Sequence, residues 1–420
     1  MILAVFQLLY FLEKNKKILM RLHLVLIEAI VFSLEEVFFQ KKHADKVIEK
    51  VLKSNPKWGA RDRAFIAENV YEIVRNWRLL VHLCQAEGNE SRYLNQIIGT
   101  WFLQKGYEAN DWIGFKNVNA DNVKKLLETA RGNRAIIESV PDWLDVEVAS
   151  QLSENIWTQE LKAMNQPAKV ILRANTLKTS LSDLQNKLEN EGVFATTLND
   201  APDALVLKER KNIFTSQSFK EGLFEVQDAG SQWIAPFLDV KPGMRVIDAC
   251  AGAGGKTLHL SALMQSKGSL IALDIEAWKL EELKKRGRRA GISNTETRLI
   301  ENNKTIKRLH ETADRLLLDV PCSGLGVLKR NPDAKWKMSL DFIQKIQITQ
   351  RDILDRYSKM LRKGGKMVYA TCSLLPSESE NQVQWFLEQQ NGAFELIEEK
   401  RCSPAQHGYD GFYMACLQKI

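Results

Sequence analysis

A short apolar strand in this chain runs directly into a glycine-rich turn and then into a helix, an order that few folds accommodate. The segment is VIDACAGAGGKT, residues 246–257, in which Asp248 ends the predicted strand and a helix begins near Lys256. Glycines allow a ligand to approach the backbone closely, and a helix N-terminus attracts negative charge. The segment therefore predicts a ligand site at the edge of an α/β sheet.

The spacing of these glycines argues against the common nucleotide-binding motifs. Gly252, Gly254 and Gly255 fit neither G-x-G-x-x-G nor G-x-x-x-x-G-K-[ST], which disfavours a nicotinamide oxidoreductase. An acid at the strand end followed by A-G-x-G-G suits the amino-acid end of S-adenosylmethionine better. The predicted cofactor contacts in this segment are Asp248, Cys250, Ala251, Gly252, Ala253, Gly254, Gly255 and Lys256. Outside it, Asp319 is also a predicted cofactor contact.

Apolar strands alternate with helical stretches from about residue 231 onward. The predicted strands are 244–250, 269–275, 313–320 and 365–372. This alternation predicts an α/β fold with a doubly wound, Rossmann-like parallel sheet covered on both faces. Asp274 ends the second strand, where an acid commonly binds ribose hydroxyls, so the turn and Asp274 together predict a nucleoside-containing cofactor.

Two of the six cysteines follow later strands of this predicted sheet. Asp319 and Cys322 lie in LLLDVPCSG (316–324), and Cys372 lies in YATCS (369–373). Because the carboxyl ends of parallel strands meet at one edge, we expect both thiols beside the cofactor. The other four cysteines are predicted to be ordinary reduced thiols, as in the cytosol, and the absence of any C-x-x-C pair predicts no metal site.

Two thiols and an acid suit methyl transfer to C5 of cytosine. A thiolate that adds to C6 makes C5 nucleophilic enough to accept a methyl group, and Asp319 is suited to assist at N3. A second thiol can then assist release of the product. Position alone allows either Cys322 or Cys372 to be the nucleophile.

The rest of the chain divides into three predicted parts. Residues 20–160 show helical periodicity and predict an all-helical domain, and residues 165–230 predict a small α+β subdomain ahead of the methyltransferase domain at 231–420. Residues 1–19 begin with an apolar run too short to span a bilayer, and are predicted to be a non-native or disordered extension. No membrane association is expected.

Basic residues are concentrated near the front of the chain. The net charge is +7, and residues 1–80 contain 14 Lys and Arg against 9 Asp and Glu. This excess is compatible with a polyanionic partner. The predicted RNA contacts are Lys53, Lys57, Arg61 and Arg63 in the helical domain, and Lys329, Arg330 and Lys335 near the active edge. A further basic cluster at 284–289 is predicted to be a solvated helix face.

An ordered series of segments resembles the Sun/Nop family of RNA (cytosine-5) methyltransferases. The segments are RANTLK (173–178), FEVQDAGSQ (224–232), DACAGAGGKT (248–257), DVPCSGLGVLKRNPDAKW (319–336), ATCSLLPSESENQV (370–383) and DGFYMACLQK (410–419). The resemblance implies a class I methyltransferase fold, S-adenosylmethionine as cofactor, Cys372 as the nucleophile and Cys322 as the thiol that aids product release. DNA cytosine methyltransferases use the P-C cysteine as nucleophile instead, so these roles rest on the family resemblance.

Within that family the chain most resembles the bacterial member that acts on 16S ribosomal RNA. The helices around KWGARDRAF (57–65) are similar to its NusB-like RNA-binding domain, and residues 168–230 to its RRM-like insert. One departure concerns the adenine, for which the family usually has an acid after the third strand. Here RLIENNKT (298–305) offers Asn302 or Asn303, of which Asn303 is our candidate.

The sequence thus predicts a cytoplasmic, monomeric methyltransferase that acts on RNA, either 16S rRNA or an assembly intermediate of the small subunit. Two alternatives stay open at this point. One is a tRNA cytosine-C5 methyltransferase, and the other is a non-catalytic RNA-binding assembly factor that retains the fold.

Overall fold

The structure is a computed structural model that describes residues 22–107, 112–116 and 118–420. The extension predicted at 1–19 lies outside the described residues. The chain forms two compact units, of which the first comprises Met1–Glu147 and Asn331–Lys337 and the second comprises Val148–Arg330 and Met338–Ile420. The division therefore falls before residue 160, where the sequence predicted the end of the helical domain.

The described residues of the first unit form helices and no strand, as their periodicity predicted. The helices are α1 (Leu24–Phe38), α2 (Ala44–Ser54), α3 (Ala60–Arg75), α4 (Trp77–Leu83), α5 (Leu94–Gln104), α6 (Ala120–Ala130) and α7 (Arg134–Ile137), with a 3-10 turn at Ile113–Phe115. Helix α8 (Asp142–Leu152) crosses the boundary into the second unit. In α3, Ile66, Val70 and Ile73 recur at helical spacing and are fully buried in the core.

The segment Asn331–Lys337 belongs to the helical unit although it lies far away in sequence. Lys335 is 2% exposed, and its ammonium donates to the carbonyl of Arg75 at 2.7 Å. The indole of Trp336 donates to the carbonyl of Val74 at 2.8 Å. Burial, followed by the charge of Arg75, lowers the pKa of Lys335 to about 7. The prediction that Lys335 contacts RNA is wrong, because its side chain is enclosed and bonded within the protein.

The second unit contains a small α+β subdomain, as predicted. Helix α9 (Glu154–Met164) precedes the subdomain and lies in the second unit, although the sequence predicted that the helical domain extends to residue 160. The elements of the subdomain are β1 (Ile171–Ala174), α10 (Leu181–Asn190), β2 (Ala195–Leu198), β3 (Ala201–Leu207), α11 (Gln217–Lys220) and β4 (Phe224–Val226). The strands form an antiparallel sheet in the order β2-β3-β1-β4. Ser180 caps α10 by accepting a hydrogen bond from the amide of Asp183.

Both faces of this small sheet are covered. Leu172 and Leu205 pack on one side with Leu184 of α10, whereas Ile171 and Val206 pack on the other side in a second apolar cluster. An RRM binds RNA through aromatic side chains on an open sheet face. The RRM-like subdomain of this chain has no open sheet face for that mode of binding.

The remainder of the second unit is the predicted doubly wound domain. Its elements are α12 (Ala229–Gln232), α13 (Ile234–Phe237), β5 (Arg245–Asp248), α14 (Gly255–Leu263), β6 (Ser269–Asp274), α15 (Ala277–Ala290), β7 (Thr295–Leu299), α16 (Asn303–Lys307), β8 (Ala313–Asp319), α17 (Leu340–Tyr357), β9 (Leu361–Thr371), α18 (Glu380–Gln389), β10 (Phe394–Cys402), α19 (Pro404–His407) and β11 (Phe412–Lys419). Short 3-10 turns lie at Leu325–Val327, Ser358–Met360 and Pro376–Glu378.

The seven strands run in the order β10-β11-β9-β8-β5-β6-β7. The five strands from β9 to β7 are parallel, and β11 inserts antiparallel between β9 and β10. Leu316, Leu317 and Leu318 of β8 are all 0% exposed, so this central strand is buried on both faces. The sheet brings the ends of β5, β6, β8 and β9 to one edge, as the strand pattern predicted.

Among the residues that the structure describes, no helix has the length and apolar character that a membrane span requires. The same residues contain no cluster of three or more His, Cys, Asp or Glu side chains that could hold a metal ion.

Candidate active site

The glycine-rich turn joins β5 to α14 at the carboxyl edge of the sheet. Gly254 has φ +90° and is the N-cap of α14. A Cβ atom at Gly254 would lie 2.5 Å from Cγ of Leu283, whereas a Cβ at Gly252, where φ is +55°, would meet nothing within 4 Å. Gly254 is thus required for conformation and packing, and the backbone at Gly252 borders open space. The turn and the N-terminus of α14 form a cradle that suits a nucleoside cofactor with an amino-acid tail.

Asp274 holds the glycine-rich turn from the end of β6. One carboxylate oxygen accepts the amide of Gly252 at 2.8 Å, and the other accepts the amide of Glu276 at 2.9 Å. The side chain is 7% exposed. Asp274 therefore shapes the cradle and still has lone pairs for the predicted ribose hydroxyls.

Replacement of Asp274 by alanine should weaken binding of S-adenosylmethionine without unfolding the protein. One charge-assisted hydrogen bond contributes about 1.5–3 kcal/mol, which corresponds to about 10- to 150-fold in affinity. Calorimetry on the folded variant measures this loss. Asp274→Asn is the matched control for the turn, because its amide oxygen can still accept the Gly252 amide. An unchanged affinity in Asp274→Ala would contradict the ribose assignment.

Asp248 acts beneath the turn and not in the cradle. It is 0% exposed, and its carboxylate accepts a hydrogen bond from the hydroxyl of Thr257 at 2.6 Å. Burial raises the pKa of Asp248 to about 7. The structure contradicts the predicted contact between Asp248 and the cofactor, because the side chain presents no accessible surface. The hydrogen bond between Asp248 and Thr257 instead links β5 to the first turn of α14. Sequence reasoning missed this role of Thr257.

An ion pair connects the glycine-rich turn to Asp319, the last residue of β8. The ammonium of Lys256 lies 2.5 Å from the carboxylate of Asp319, and both side chains are largely buried. Burial lowers the pKa of Lys256, but the charge and hydrogen bond of Asp319 outweigh this effect, so the pKa is raised overall. Lys256 and Asp319 thus meet where the cradle adjoins the cysteine loops.

The two predicted cysteines lie in direct contact. The Sγ atoms of Cys322 and Cys372 are 3.2 Å apart, and the amide of Cys372 donates to Sγ of Cys322 at 3.3 Å. Both thiols are half-buried and free. The hydrogen bond with Cys372 and burial raise the pKa of Cys322 well above its usual range.

Cys250 sits in the glycine-rich turn but is a poor candidate for a nucleophile. Burial, followed by the charge of Asp248, raises the pKa of its thiol well above the usual range. Its place in the turn fits the predicted backbone contact with the cofactor.

Side chains from the small subdomain and from α15 brace the turn, and sequence reasoning missed them. Arg173 donates to the carbonyl of Gly255 at 2.7 Å, and Arg286 donates to the carbonyl of Ala253 at 2.7 Å. Arg286 also pairs with Glu225 at 3.0 Å, and Arg289 pairs with the same carboxylate. The basic cluster at 284–289 is therefore not wholly a solvated face. Arg173 and Glu225 lie in RANTLK and FEVQDAGSQ, so these motifs were the available signal.

Three more of the predicted RNA contacts have structural roles instead. Arg330 pairs with Asp410 at 2.6 Å and with Asp228 at 2.8 Å. Lys329 is 8% exposed and donates to a main-chain carbonyl, and Arg63 donates to carbonyls in the loop before α3. Because internal partners occupy these donors, Lys329, Arg330 and Arg63 are poorer candidates for phosphate contacts than the sequence predicted. Lys53, Lys57 and Arg61 are exposed, although Lys53 pairs with Glu49.

The two asparagines after β7 are exposed. Asn302 accepts the amide of Lys304 at 2.9 Å and caps α16, and the amide oxygen of Asn303 accepts a hydrogen bond from Arg356. The adenine contact of Asn303 stays a prediction.

Comparison with known proteins assigns both parts of the second unit to one group. The family model described as 16S rRNA methyltransferase RsmB/F matches residues 235–418. A model of the ferredoxin-like domain of RsmF/B-like methyltransferases matches residues 140–214.

Individual relatives extend this similarity over nearly the whole chain. A probable ribosomal RNA small subunit methyltransferase B from Synechocystis is 30% identical, with 92% of this chain and 97% of the relative covered. Ribosomal RNA small subunit methyltransferase B of Pseudomonas syringae is 32% identical over 73% of this chain and 71% of its own length. The solved structure of a methyltransferase homolog protein from Pyrococcus horikoshii is 28% identical, with a TM-score of 0.61 over 69% of this chain and 98% of that chain.

Proposed function

Because this chain belongs to the RsmB/F family of 16S rRNA methyltransferases, we propose that it methylates C5 of a cytosine in 16S rRNA. Its cofactor is S-adenosylmethionine, on which the family depends, and the sequence resemblance to this group is confirmed. The position of the methyl group and the covalent route are our inference. The contact between Cys322 and Cys372, at 3.2 Å, is the observation that carries it.

Cytosine C5 needs activation before it can accept a methyl group, and the thiols supply it. The thiolate of Cys372 adds to C6, which forms an S–C6 bond and leaves C5 enamine-like. Asp319, next to Lys256, assists this addition at N3 of the ring. The bound cofactor supplies the methyl group from its sulfonium centre.

The product must then leave the enzyme. The proton on C5 departs, the electrons of the C5–H bond restore the C5–C6 double bond, and the S–C6 bond breaks to return the Cys372 thiolate. Cys322 lies against Cys372 and assists this release. Roles for both thiols distinguish this proposal from a non-catalytic assembly factor, which needs neither.

The target cytosine has to leave its base stack to reach a half-buried thiol. Unstacking costs a few kcal/mol and is easiest in single-stranded or incompletely folded RNA. We therefore propose a loop of 16S rRNA, exposed in the free RNA or in an assembly intermediate of the small subunit, as the substrate.

Bisulfite sequencing of total RNA from cells with and without the gene tests this proposal. The expected result is one 16S cytosine that resists conversion only when the gene is present. Loss of protection confined to tRNA would replace the rRNA assignment with tRNA methylation, and no change in any RNA would overturn the activity.

Lys57, just before α3, and Arg61, in the first turn of α3, are exposed and are two of the remaining candidates for phosphate contacts. We expect the double variant Lys57→Glu and Arg61→Glu to bind 16S rRNA more weakly while its affinity for S-adenosylmethionine stays unchanged. Two lost phosphate contacts reduce the slope of log affinity against log salt by about 2. Filter binding across a salt series measures this slope.

Lys124→Glu, at another exposed position of the helical unit, is the matched control for that experiment. Deletion of the helical domain is less suitable, because it would uncover Lys335 and Trp336. Equal affinity and slope in the double variant and the control would contradict an RNA-binding role for this surface.

A further inference from the structure

A buried carboxylate lies directly behind the two thiols. Glu378 follows the second cysteine loop in a 3-10 turn, and it is 0% exposed. One carboxylate oxygen accepts the amide of Ser323 at 2.8 Å and the side-chain amide of Gln350 at 3.2 Å. The other accepts the hydroxyl of Ser323 at 2.5 Å and the hydroxyl of Ser373. Four donors from three residues thus converge on a single side chain.

Each of those serines is the residue after one of the thiols. Ser323 follows Cys322, Ser373 follows Cys372, and the two hydroxyl oxygens are 3.2 Å apart. The loops also meet through the backbone, since the amide of Gly326 donates to the carbonyl of Cys372 at 2.9 Å. Glu378 therefore clamps the two loops from inside at the position next to the sulfur atoms.

The burial of the Glu378 carboxylate depends on its hydrogen bonds. An ionised side chain is expensive to remove from water unless hydrogen bonds replace the solvent. Here those donors come almost entirely from the cysteine loops, so the loops can keep them only while both stay in register. Movement of either loop would leave the charge of Glu378 incompletely solvated.

We propose that Glu378 is a positioning residue that holds the two thiols in contact for attack and product release. This inference rests on the proposed function, which assigns attack on C6 to Cys372 and product release to Cys322. A fixed negative charge behind Ser323 disfavours a second negative charge on the adjacent Cys322 sulfur. The pKa of Cys322 is raised first by the hydrogen bond with Cys372 and by burial, and the charge of Glu378 adds to these effects.

The chain contains a matched buried glutamate away from the site. Glu160 is 5% exposed, and its carboxylate accepts the hydroxyl of Ser403 and the amide of Ala405, the latter at 3.0 Å. Ser403 likewise follows a cysteine, Cys402, which has no part in the mechanism. Glu160→Gln is therefore a control for the loss of a buried carboxylate bonded to a Cys-Ser loop.

The first measurement compares steady-state methylation of 16S rRNA by Glu378→Gln and Glu160→Gln in the full chain. The glutamine amide presents donors where Ser323 and Gln350 also donate, so the loops lose register. Misplacement of reacting groups by about 1 Å costs about 100-fold in rate. We expect kcat to fall by about 100-fold in Glu378→Gln with KM for both substrates within about twofold of wild type, and kcat to be unchanged in Glu160→Gln.

The second measurement needs neither RNA nor cofactor. In a Cys372→Ala background, iodoacetamide labelling of Cys322 is followed against pH by peptide mass spectrometry. Removal of the Glu378 charge should move the labelling midpoint to lower pH, whereas Glu160→Gln should leave it in place. If Glu378→Gln does not fold, Ser373→Ala removes a single donor, and we expect a smaller loss of kcat, about tenfold, with unchanged KM.

The outcomes separate this inference from the proposed function. Equal kcat in the two glutamine variants, together with an unmoved labelling midpoint, would overturn the positioning role while leaving methylation intact. A shifted midpoint in a protein whose wild type makes no 5-methylcytosine would support the thiol clamp and overturn the proposed function.

Discussion

Replacement of Cys372 by alanine should abolish both methylation and the covalent adduct, whereas Cys322→Ala should accumulate a protein–RNA adduct. In the proposed mechanism Cys372 supplies the atom that attacks C6, so no other step proceeds without it. In that mechanism Cys322 acts after methyl transfer, so its removal should leave the S–C6 bond unbroken. Each reaction of Cys322→Ala should leave one enzyme molecule bound covalently to one RNA. We therefore expect expression of this variant to be toxic or to slow growth.

A denaturing gel of each variant incubated with S-adenosylmethionine and 16S rRNA tests this division of labour. Cys402→Ala is the control, since Cys402 is buried in the core and belongs to neither loop. An adduct in Cys372→Ala with none in Cys322→Ala would reverse the two roles. If neither variant forms an adduct, the proposed role of Cys322 in product release fails, and methylation rates then show which thiol attacks.

Asp319→Asn should lower the rate of methylation by about 10²- to 10⁴-fold, the range typical of general acid–base groups. Asparagine is close to aspartate in size but cannot carry a proton to or from N3. Its neutral amide also removes the ion pair with the ammonium of Lys256, which lies 2.5 Å from the carboxylate in the native protein. Single-turnover methylation at saturating RNA and cofactor measures the chemical step.

Asp314→Asn provides the comparison for that variant, because Asp314 lies on the same strand, β8, and also pairs with a cation, Arg362, at 2.6 Å. We expect this control to methylate at the wild-type rate. Equal single-turnover rates for Asp319→Asn and Asp314→Asn would show that Asp319 has no part in the chemistry.

The sequence predicted well those features that follow from strand order. Asp274 and Asp319 end apolar strands and Cys372 follows one, and parallel strands end at a common edge. The meeting of Cys322 and Cys372 follows from the same rule, because β8 and β9 are neighbours in the sheet. Hydrophobic periodicity and the positions of strand ends are local properties, so they can be predicted from a single sequence.

Burial of charged side chains was beyond the reach of sequence reasoning. Lys335 and Arg330 read as basic surface residues, yet one is enclosed in the helical unit and the other pairs with two aspartates. The sequence gives the charge of each side chain but does not give the groups with which that side chain pairs. Residues 331–337 belong to the helical unit although they are distant from it in sequence, and no local sequence pattern indicates this.

Glu378 and Arg286 illustrate the same limit inside the site. Glu378 lies within ATCSLLPSESENQV, one of several acids and serines there, and only the fold shows that it faces both cysteine loops. Arg286 belongs to a basic run whose other members face solvent or nearby acids. Their motifs marked the right segments, but the contacts that give them a role are tertiary.

Tritium release is the most direct test of the central claim that the methyl group is placed on cytosine C5. 16S rRNA is prepared with tritium at C5 of its cytosines and incubated with the enzyme and methyl-labelled S-adenosylmethionine. Methylation at C5 must displace the hydrogen bound there, so we predict one tritium released to water for each methyl group incorporated. Methyl incorporation without tritium release would place the modification on another atom and contradict the mechanism.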